Sequence, residues 1–377
     1  MIDFGKRLEK LKDRRQGSRQ RVIYESTMDS ISMESAVIYG RDIRIKEVYE
    51  KLKESDSVKY TIGAMASVDE KFTQVSISEG NRVADSLIKS LGVSRSIYTE
   101  SRLQGSVALD IHIKGHSDVD MLIIKKGLVK VEYPKIAPEN YSTSSDPRSM
   151  VDIVKEIRLE SEDILPRNFP KADIDISGNK SIAMSGGSLQ RKIDIVPACW
   201  YDTHEYQQTQ DESDRGIEIY HKSNHELILN LPFTHIKLIS NRDDRYNGNL
   251  RSVIRLMKNM IADMPDYKKR VAKKLSSYDL ASIAYHMDDR LYLPLEMHLG
   301  LVEKTREYLN YLWVSPYRRS LLEVPDKSRK IFDDEKKVTA LEVLKSEFTA
   351  LSEAIAKDLN PYMNEYNPNV ILNKRVA

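Results

Sequence analysis

The stretch Gln104-Gly105-Ser106, followed by Ser117-Asp118-Val119-Asp120 and the apolar run at 121–124, decides the fold of this chain. It predicts a strand that enters a Gly-Ser turn, a short connection, and a second strand that opens with two carboxylates. Because alternate residues of a strand share a face, Asp118 and Asp120 should point one way while Val119 and Met121 point into the core.

Two carboxylates this close repel each other unless a cation lies between them, and oxygen ligands of this kind suit Mg²⁺. Gly105 lets the backbone approach a ligand closely, and the N–H groups of the turn, with the Ser106 hydroxyl, can bind phosphate oxygens. The stretch therefore predicts a site for a metal ion and a triphosphate. An Asp pair alone is weak evidence, since exposed strand starts also carry such pairs for solubility.

A third carboxylate on a further strand strengthens this interpretation. Residues 191–197 read R-K-I-D-I-V-P, an alternating pattern with Ile193 and Ile195 on one face and Asp194 on the other. If this strand lies beside the first, Asp118, Asp120 and Asp194 converge on one face of a sheet. That is the arrangement for two-metal phosphoryl transfer.

These motifs resemble the nucleotidyltransferase superfamily of DNA polymerase β, with its G-S…D-x-D…D pattern. More narrowly, G-S-V-A-L-D-I-H-I-K-G-H-S-D-V-D-M-L at 105–122 and K-I-D-I-V-P-A at 192–198 look like the CD-NTases, bacterial relatives of cyclic GMP-AMP synthase and oligoadenylate synthase. The resemblance runs from near Ser76 into the C-terminal helices. It implies an α+β fold, in which a polymerase β-like core with a mixed β-sheet precedes a helical domain like that of oligoadenylate synthase.

The resemblance also implies a second set of nucleotide-binding residues. In the family, a lysine on one helix and a Ser-Tyr pair opening the next hold the triphosphate and stack the base, and Lys258 and Ser277-Tyr278 match that pattern. The residues themselves predict an amphipathic helix around Lys258 and a capping box from Ser276 to Asp279. On those residues alone, a surface lysine at Lys258 and a core aromatic at Tyr278 are the favoured interpretation, and the resemblance reverses that preference.

The expected chemistry is transfer of a nucleotide from a nucleoside triphosphate to a hydroxyl. Asp118, Asp120 and Asp194 would hold two Mg²⁺ ions, with Mn²⁺ as a possible substitute, and Asp194 would assist deprotonation of the attacking hydroxyl. Lys258 and Ser277 would hold the β- and γ-phosphates, and Tyr278 would stack a base. The phosphate-binding turn itself consists of Gln104, Gly105 and Ser106.

The acceptor is open to three interpretations. Resemblance to the CD-NTases implies a second nucleotide, giving a cyclic or linear oligonucleotide messenger that triggers an effector in anti-phage defence. The acceptor could also be RNA or a protein hydroxyl, including the chain's own Tyr362 or Tyr366. A sensor or scaffold with an idle site is the third interpretation, and three mutually repelling carboxylates argue against it.

Composition excludes several classes of protein. The 59 basic and 57 acidic residues of this 377-residue chain nearly balance, so its net charge argues neither for nor against direct nucleic-acid binding. The single cysteine, Cys199, excludes an internal disulfide and a cysteine-based zinc site. No window has the apolar length of a signal peptide or a membrane span. We therefore expect a cytoplasmic protein without a membrane partner.

Three regions are predicted along the chain: a charged, mostly helical N-terminal extension at 1–65, a nucleotidyltransferase core at 66–231 and a helical C-terminal domain at 232–377. In the first, Phe4, Leu8 and Leu11 fall at helical spacing before a basic run at 12–21. That run could contact nucleic acid or a membrane surface, although a solvated face beside a narrow packing stripe is the simpler interpretation. The role of the extension is not predicted.

Several element boundaries follow from local signals. Ser78 is expected to cap a helix that Gly92 stops. A charged helix at 151–164 and strands at 171–177 and 182–184 should precede the Asp194 strand. A helical pattern is expected from Asn224, with a domain boundary near Leu231-Pro232. The last long helix should bury a stripe, and the tail at 360–377 should be irregular; the stripe consists of Leu341, Leu344, Phe348, Leu351 and Ile355.

Two other motifs are predicted to be structural. Asp173 and Asp175 form a second Asp-x-Asp pair, but no Gly-Ser turn precedes them at a suitable distance, so an ordinary alternating strand is expected. His112 and His116 have the spacing of a helical zinc site. Gly115 and the β-branched Ile111 and Ile113 argue against a helix there, so we expect a loop.

Overall fold

The computed structural model describes residues 2–15, 46–115, 117–136 and 138–376. Within them the chain forms a mixed β-sheet, two helices behind it, and a large helical layer. Most of the predicted basic run, 16–21, and His116 lie outside the described residues. The labels used below count elements of the described residues only.

The sheet has seven strands, of which β1, β2, β5, β4 and β3 follow one another across it. β2 and β5 are parallel, and the other neighbouring pairs are antiparallel. β6 pairs with the far end of β5, and β7 pairs with β6. The strands are Thr99–Gln104 (β1), Val119–Val131 (β2), Asp173–Asp175 (β3), Ile182–Ser185 (β4), Ile193–Asp202 (β5), Gly216–His221 (β6) and Glu226–Asn230 (β7).

Helices surround this sheet and make up the C-terminal part. They are 4–15 (α1), Val48–Lys51 (α2), Asp56–Met65 (α3), Glu70–Arg95 (α4), Gly105–Ala108 (α5), Met150–Asn168 (α6), His204–Thr209 (α7), Pro232–Arg245 (α8), Asn249–Asp263 (α9), Asp266–Ala272 (α10), Ser277–Tyr285 (α11), His298–Val314 (α12), Pro316–Leu321 (α13), Glu335–Leu359 (α14) and Asn369–Leu372 (α15). Short 3₁₀ turns lie at Pro138–Asn140, Glu212–Asp214, Asp288–Leu291 and Leu295–Met297.

The two faces of the sheet have different partners. One face packs against α4 and α6, and Val119, Met121, Ile193 and Ile195 are buried between them. These four residues lie at alternate positions of β2 and β5, which confirms the predicted inward-facing positions. The opposite face is apolar only towards the far ends of these strands, where Phe233 packs against it. On this same face, the start of β2 and of β5 is left open for the acidic residues.

The N-terminal helix belongs to the helical layer. Phe4, Leu8 and Leu11 are buried in one apolar cluster with the C-terminal helices, which confirms the predicted packing stripe. Arg7 forms an ion pair with Glu347, a fully buried residue of α14. Glu347 also pairs with Lys268, so removal of Glu347, rather than of Arg7, would leave a buried charge without its ion-pair partner. The division of the chain into three regions remains a prediction, but residues 4–11 pack against the C-terminal helices.

Some predicted boundaries are wrong for identifiable reasons. α4 starts well before Ser78, because the Asp69 side chain accepts the Lys71 N–H and caps it there. The helix passes through Gly92 and ends at Arg95, where Ser96 adopts a left-handed conformation. Gly92 lacks only a side chain, and a helix interior tolerates that at a cost of about 1 kcal/mol.

The segment after Asn224 is a strand rather than the expected helix. β7 finds its hydrogen-bond partner in β6 across a tight connection, and that pairing is a tertiary effect. The helical pattern begins at the predicted Leu231-Pro232 boundary, with Pro232 in the first turn of α8. The strand predicted at 171–177 shrinks to Asp173–Asp175. In the predicted irregular tail, α15 is a short helix that buries Ile371.

Other predictions of local structure are confirmed. The capping box from Ser276 to Asp279 is formed, and all five residues of the predicted stripe on α14 are fully buried. The charged helix appears as α6, with Val154 and Ile157 inward. Over the part of the chain that the structure describes, none of the helices is both long and apolar enough for a membrane span.

Candidate active site

Strand register brings two of the predicted acids side by side. Asp120 of β2 pairs with Asp194 of β5, and Gln104 of β1 pairs with Asp120 on its other side. Neighbouring strands lie about 4.8 Å apart, so the two carboxylates leave the same face of the sheet next to each other. Asp118 stands two residues before Asp120, at the entry to β2.

The three acids affect one another electrostatically. Burial raises the pKa of the Asp120 carboxyl, and the nearby Asp194 and Asp118 raise it further, to about 7. Burial and Asp118 also raise the pKa of Asp194, against the effect of a hydrogen bond from the Ser181 hydroxyl. Ionised carboxylates this close repel one another, so a bound cation would stabilise the group.

Gly105 lies directly against this centre. It is the first residue of α5, and it has a φ of 76°, a conformation that favours glycine. A Cβ at this position would lie 2.2 Å from Oδ2 of Asp120, closer than two such atoms can approach. The predicted Gly-Ser turn is therefore the start of a one-turn helix, and its backbone passes over the Asp120 carboxylate.

The acids suit a divalent metal ion. Their donor atoms are all carboxylate oxygens, which Mg²⁺ and Mn²⁺ accept, and burial together with neighbouring carboxylates raises the pKa values of Asp120 and Asp194. Within the ranges that the structure describes, no three Asp, Glu, His or Cys side chains already form a closed cage of ligands. Binding of an ion would thus draw the side chains of Asp118, Asp120 and Asp194 closer together.

Lys258 brings the helical layer to this centre. It lies on α9 and is only 8% exposed, so the alternative of a surface lysine is wrong. Its Nζ lies 3.4 Å from Oγ of Ser117, next to Asp118 in the chain. Burial lowers the pKa of the Lys258 ammonium to about 8, and attraction to Asp120 opposes that effect. The sequence pattern placed Lys258 beside an apolar stripe, and packing against the loop before β2 explains its burial.

Two further basic residues of α9 were missed by sequence reasoning. Arg251 donates to the Leu109 carbonyl and Arg255 to the Asp110 carbonyl, so both hold the loop that leads from α5 to Asp118. Arg255 also donates to the Met65 carbonyl of α3. A signal was present, because Arg251, Arg255 and Lys258 recur at i, i+4 and i+7 on an otherwise apolar helix.

The predicted base-stacking residue has a protein partner in this structure. The Tyr278 ring stacks on His235 of α8 with 3.7 Å between ring centroids, and its hydroxyl donates to Asp326. Ser277 is exposed at the first turn of α11. The roles of Ser277 and Tyr278 with a nucleotide remain predictions, and one face of Tyr278 is already covered.

The second Asp pair lies on the same side of the sheet. Asp175 pairs with Ala183, which pairs with Asp194, so a row crosses the sheet from Gln104 through the two central acids to Asp175. Asp173 and Asp175 are nevertheless exposed. Hydrogen bonds from the Ser177 side chain and from its backbone N–H lower the pKa of Asp175. The pair thus behaves as an ordinary strand pair, as predicted.

Two concave spaces adjoin the acids. An open groove of about 380 Å³ lies over β3, β4 and β5, and Asp118, Asp194 and Lys192 line it together with the second Asp pair. A larger cavity of about 550 Å³ lies between α4, the loop before β2 and the loop at 187–192, and Asp118 and Lys192 also line it. His112 lines this cavity and lies outside any helix, in agreement with the predicted loop.

The mixed sheet, the paired acids and the helical layer define the chain as an α+β nucleotidyltransferase. A family model described as the cGAS/DncV-like nucleotidyltransferase C-terminal helical domain matches residues 237–353. The cyclic dinucleotide synthase CdnE of Yersinia aleksiciae is 39% identical over 349 residues, which cover 91% of this chain and 89% of that protein. The chain belongs to the cGAS/DncV-like nucleotidyltransferase family, the CD-NTases.

Solved structures have the same fold. A STING-associated CdnE c-di-GMP synthase from Flavobacteriaceae sp. superposes with a TM-score of 0.72 at 24% identity, over 94% of this chain and 99% of that one. The corresponding synthase from Capnocytophaga granulosa gives a TM-score of 0.68 at 26% identity, with the same coverage of both chains. The predictions of the family, the α+β fold and a nucleotidyltransferase are confirmed.

Proposed function

We propose that this chain joins two nucleoside triphosphates into a cyclic dinucleotide, in a reaction that depends on Mg²⁺. The names of its relatives support this product, since the Yersinia protein is a cyclic dinucleotide synthase and the two structural neighbours are c-di-GMP synthases. The observation that carries the proposal is the parallel pairing of Asp120 with Asp194, which gives two strands a common acidic centre.

The donor nucleotide lies between the sheet and α9 in this proposal. Its β- and γ-phosphates contact the backbone at Gly105 and Ser106, the Lys258 ammonium and Ser277, and Tyr278 stacks the base if it leaves His235. Such contacts hold the α-phosphorus in line for attack, and positioning of this kind accounts for a large share of the rate. Asp118, Asp120 and Asp194 hold the metal ions, which would neutralise phosphate charge and acidify the attacking hydroxyl.

The acceptor nucleotide lies in the groove over β3, β4 and β5, since that space opens beside Asp194. Its hydroxyl oxygen bonds to the α-phosphorus of the donor while the bond to the β-phosphate oxygen breaks. Pyrophosphate leaves, and the proton of the hydroxyl passes to the side of Asp194. A second transfer of the same kind, with the two nucleotides exchanged, closes the ring.

The cellular role follows from the product. A cyclic dinucleotide released into the cytoplasm, where nucleoside triphosphates are available, would act on a downstream effector that senses it. The term STING-associated in the names of the two structural neighbours supports such a pairing. The effector and the bases of the product are left to experiment.

Incubation of the purified chain with labelled nucleoside triphosphates and Mg²⁺ or Mn²⁺ tests the proposal. A small product that resists phosphatase, and whose mass equals two nucleoside monophosphates less two waters, is expected. Label that stays on the protein would instead indicate transfer to a tyrosine, and Tyr362, which is 92% exposed, is the accessible candidate. Tyr366 donates its hydroxyl to Glu303 and is less available. No turnover would indicate a nucleotide-binding protein without transferase activity.

A further inference from the structure

The larger cavity beside the acids has features that the proposed donor and acceptor positions do not use. It has a volume of about 550 Å³, within the range of about 300–1,000 Å³ that is typical of small-molecule sites. Four basic residues line it against one carboxylate, that of Asp118; they are Arg14, Lys114, Arg191 and Lys192. An excess of positive charge around a small concave space favours an anionic ligand.

The positive groups are held in place around an aromatic ring. The Arg191 guanidinium carbon lies 3.7 Å from the centroid of the Phe72 ring, and the Lys114 Nζ lies 4.4 Å from it. Arg191 also donates to the Ser76 hydroxyl, and Lys114 to the Arg15 carbonyl. These contacts fix both cations in the wall of the cavity.

Two of these cations, Arg191 and Lys192, form no ion pair within the described ranges. Each has one carboxylate in its neighbourhood, Glu79 for Arg191 and Asp194 for Lys192. Arg14, in contrast, is already paired with Asp263. A guanidinium and an ammonium that are adjacent in the chain and outside any ion pair can bind phosphate oxygens through charge-assisted hydrogen bonds.

A buried polar atom in the cavity wall also lacks a partner. His112 is almost fully buried, its Nε2 lies 3.1 Å from the Thr73 hydroxyl, and its Nδ1 has no hydrogen-bond partner. The nearest carboxylate oxygen, on Asp110, is 3.9 Å from Nδ1 and so beyond hydrogen-bond distance, which leaves this nitrogen able to form one further hydrogen bond. This observation is independent of the charge of the cavity.

We propose that this cavity binds the polyphosphate group of a small molecule, with Arg191 and Lys192 as its main ligands and His112 as a further contact. The group could belong to a second nucleoside triphosphate that reaches across Lys192 from the groove, or to a separate regulatory nucleotide. Both share the same phosphate chemistry. The binding proposal goes beyond the proposed function and shares only Asp118 and Lys192 with the spaces assigned to the reaction.

Binding of inorganic tripolyphosphate to the full chain, measured by calorimetry in EDTA, tests the site without metal ions at the acids. We expect saturable binding that weakens at least about tenfold in Arg191→Gln/Lys192→Gln, because both charge-assisted hydrogen bonds to phosphate are lost. Lys89→Gln/Lys126→Gln removes the same charge from exposed positions outside the cavity lining and should leave binding unchanged. Arg191→Lys/Lys192→Arg should restore most of it.

The outcomes separate this proposal from the proposed function. Binding that survives Asp120→Asn but not Arg191→Gln/Lys192→Gln supports the cavity even if no nucleotide is transferred. Equal binding in the cavity variant and the control variant, with circular dichroism showing both folded, would overturn it. If a second substrate occupies the cavity, the cavity variant raises the KM for the nucleoside triphosphate. A regulatory ligand would instead change the rate of the parent chain, and the cavity variant would lose that response.

Discussion

The chain carries two Asp-x-Asp pairs on one side of one sheet, and their surroundings differ. Asp118 and Asp120 stand beside Asp194 and beneath Gly105, where burial and like charge raise the pKa of Asp120 to about 7. Asp173 and Asp175 are exposed, and a local hydrogen bond lowers the pKa of Asp175. The same three-residue motif is thus a strained acidic centre in one place and a solvated strand in the other, and the neighbouring strand makes the difference.

Removal of each pair should separate these two roles most strongly. Asp118→Ala/Asp120→Ala should lower nucleotide transfer by roughly three orders of magnitude or more, because metal-ion catalysis supplies several kcal/mol of transition-state stabilisation. The matched variant Asp173→Ala/Asp175→Ala removes carboxylates that line the acceptor groove, so its KM should change, but kcat should stay within a few-fold of the parent. Initial rates with labelled nucleoside triphosphate check both. An equal loss of nucleotide transfer in the two variants would contradict the assignment of the metal-binding role to Asp118 and Asp120 rather than to Asp173 and Asp175.

A methyl group over the acids should have the next largest effect. Gly105→Ala places a Cβ against the Asp120 carboxylate and strains a left-handed backbone, so we expect activity to fall by roughly a hundredfold and stability by about 1–3 kcal/mol. Gly127 of β2 has the same φ of 76° but open space around it. Gly127→Ala should therefore lower stability without lowering activity. Loss of activity in both Gly105→Ala and Gly127→Ala would show that backbone strain, and not the contact with Asp120, causes the loss.

The third prediction concerns the lysine from the helical layer. Lys258→Met should raise the KM for the nucleoside triphosphate by about tenfold, since it removes a charged phosphate contact worth roughly 1.5–3 kcal/mol. Lys274→Met removes the same charge from an exposed position and should change nothing. Steady-state kinetics at saturating Mg²⁺ check this. An unchanged KM in Lys258→Met would show that Lys258 has a structural role only.

The smallest effect is a pH dependence of stability that differs in sign between the pairs. In metal-free buffer, Asp120 is protonated more readily when folded than when unfolded, where its pKa is about 3.9, so its contribution to stability is lost as pH rises towards 7. A fall in Tm on the order of a few degrees is expected, and Mg²⁺ should offset it. Asp120→Asn should flatten this profile.

Asp175 provides the opposite case. Its pKa is lowered on folding, so its contribution is present above the unfolded pKa and lost as pH falls through the folded value. Asp175→Asn should therefore lower thermal stability above about pH 4, lose this difference from the parent at lower pH, and leave the slope towards pH 7 intact. If Asp175→Asn removed the fall in stability towards pH 7, the group that titrates in that range would be Asp175 rather than Asp120.

Much of the acidic centre was predictable from the sequence, because strand alternation indicates which face each acid takes and the motif resemblance implies that the three acids belong to one site. Interactions between elements that are far apart in the chain could not be predicted in this way. Arg251 and Arg255 contact the loop before β2 only because α9 crosses it, and β7 is a strand only because β6 lies beside it. The His235 ring on Tyr278 joins α8 to α11 in the same way.

A crystal structure with Mn²⁺ and a non-hydrolysable nucleoside triphosphate tests the central claim most directly. The shared negative charge of Asp118, Asp120 and Asp194 predicts anomalous density for metal between β2 and β5, in contact with carboxylates from both strands. Metal bound at Asp173 and Asp175 instead, or Asp194 without contact to any ion, would contradict the assignment of the acidic centre.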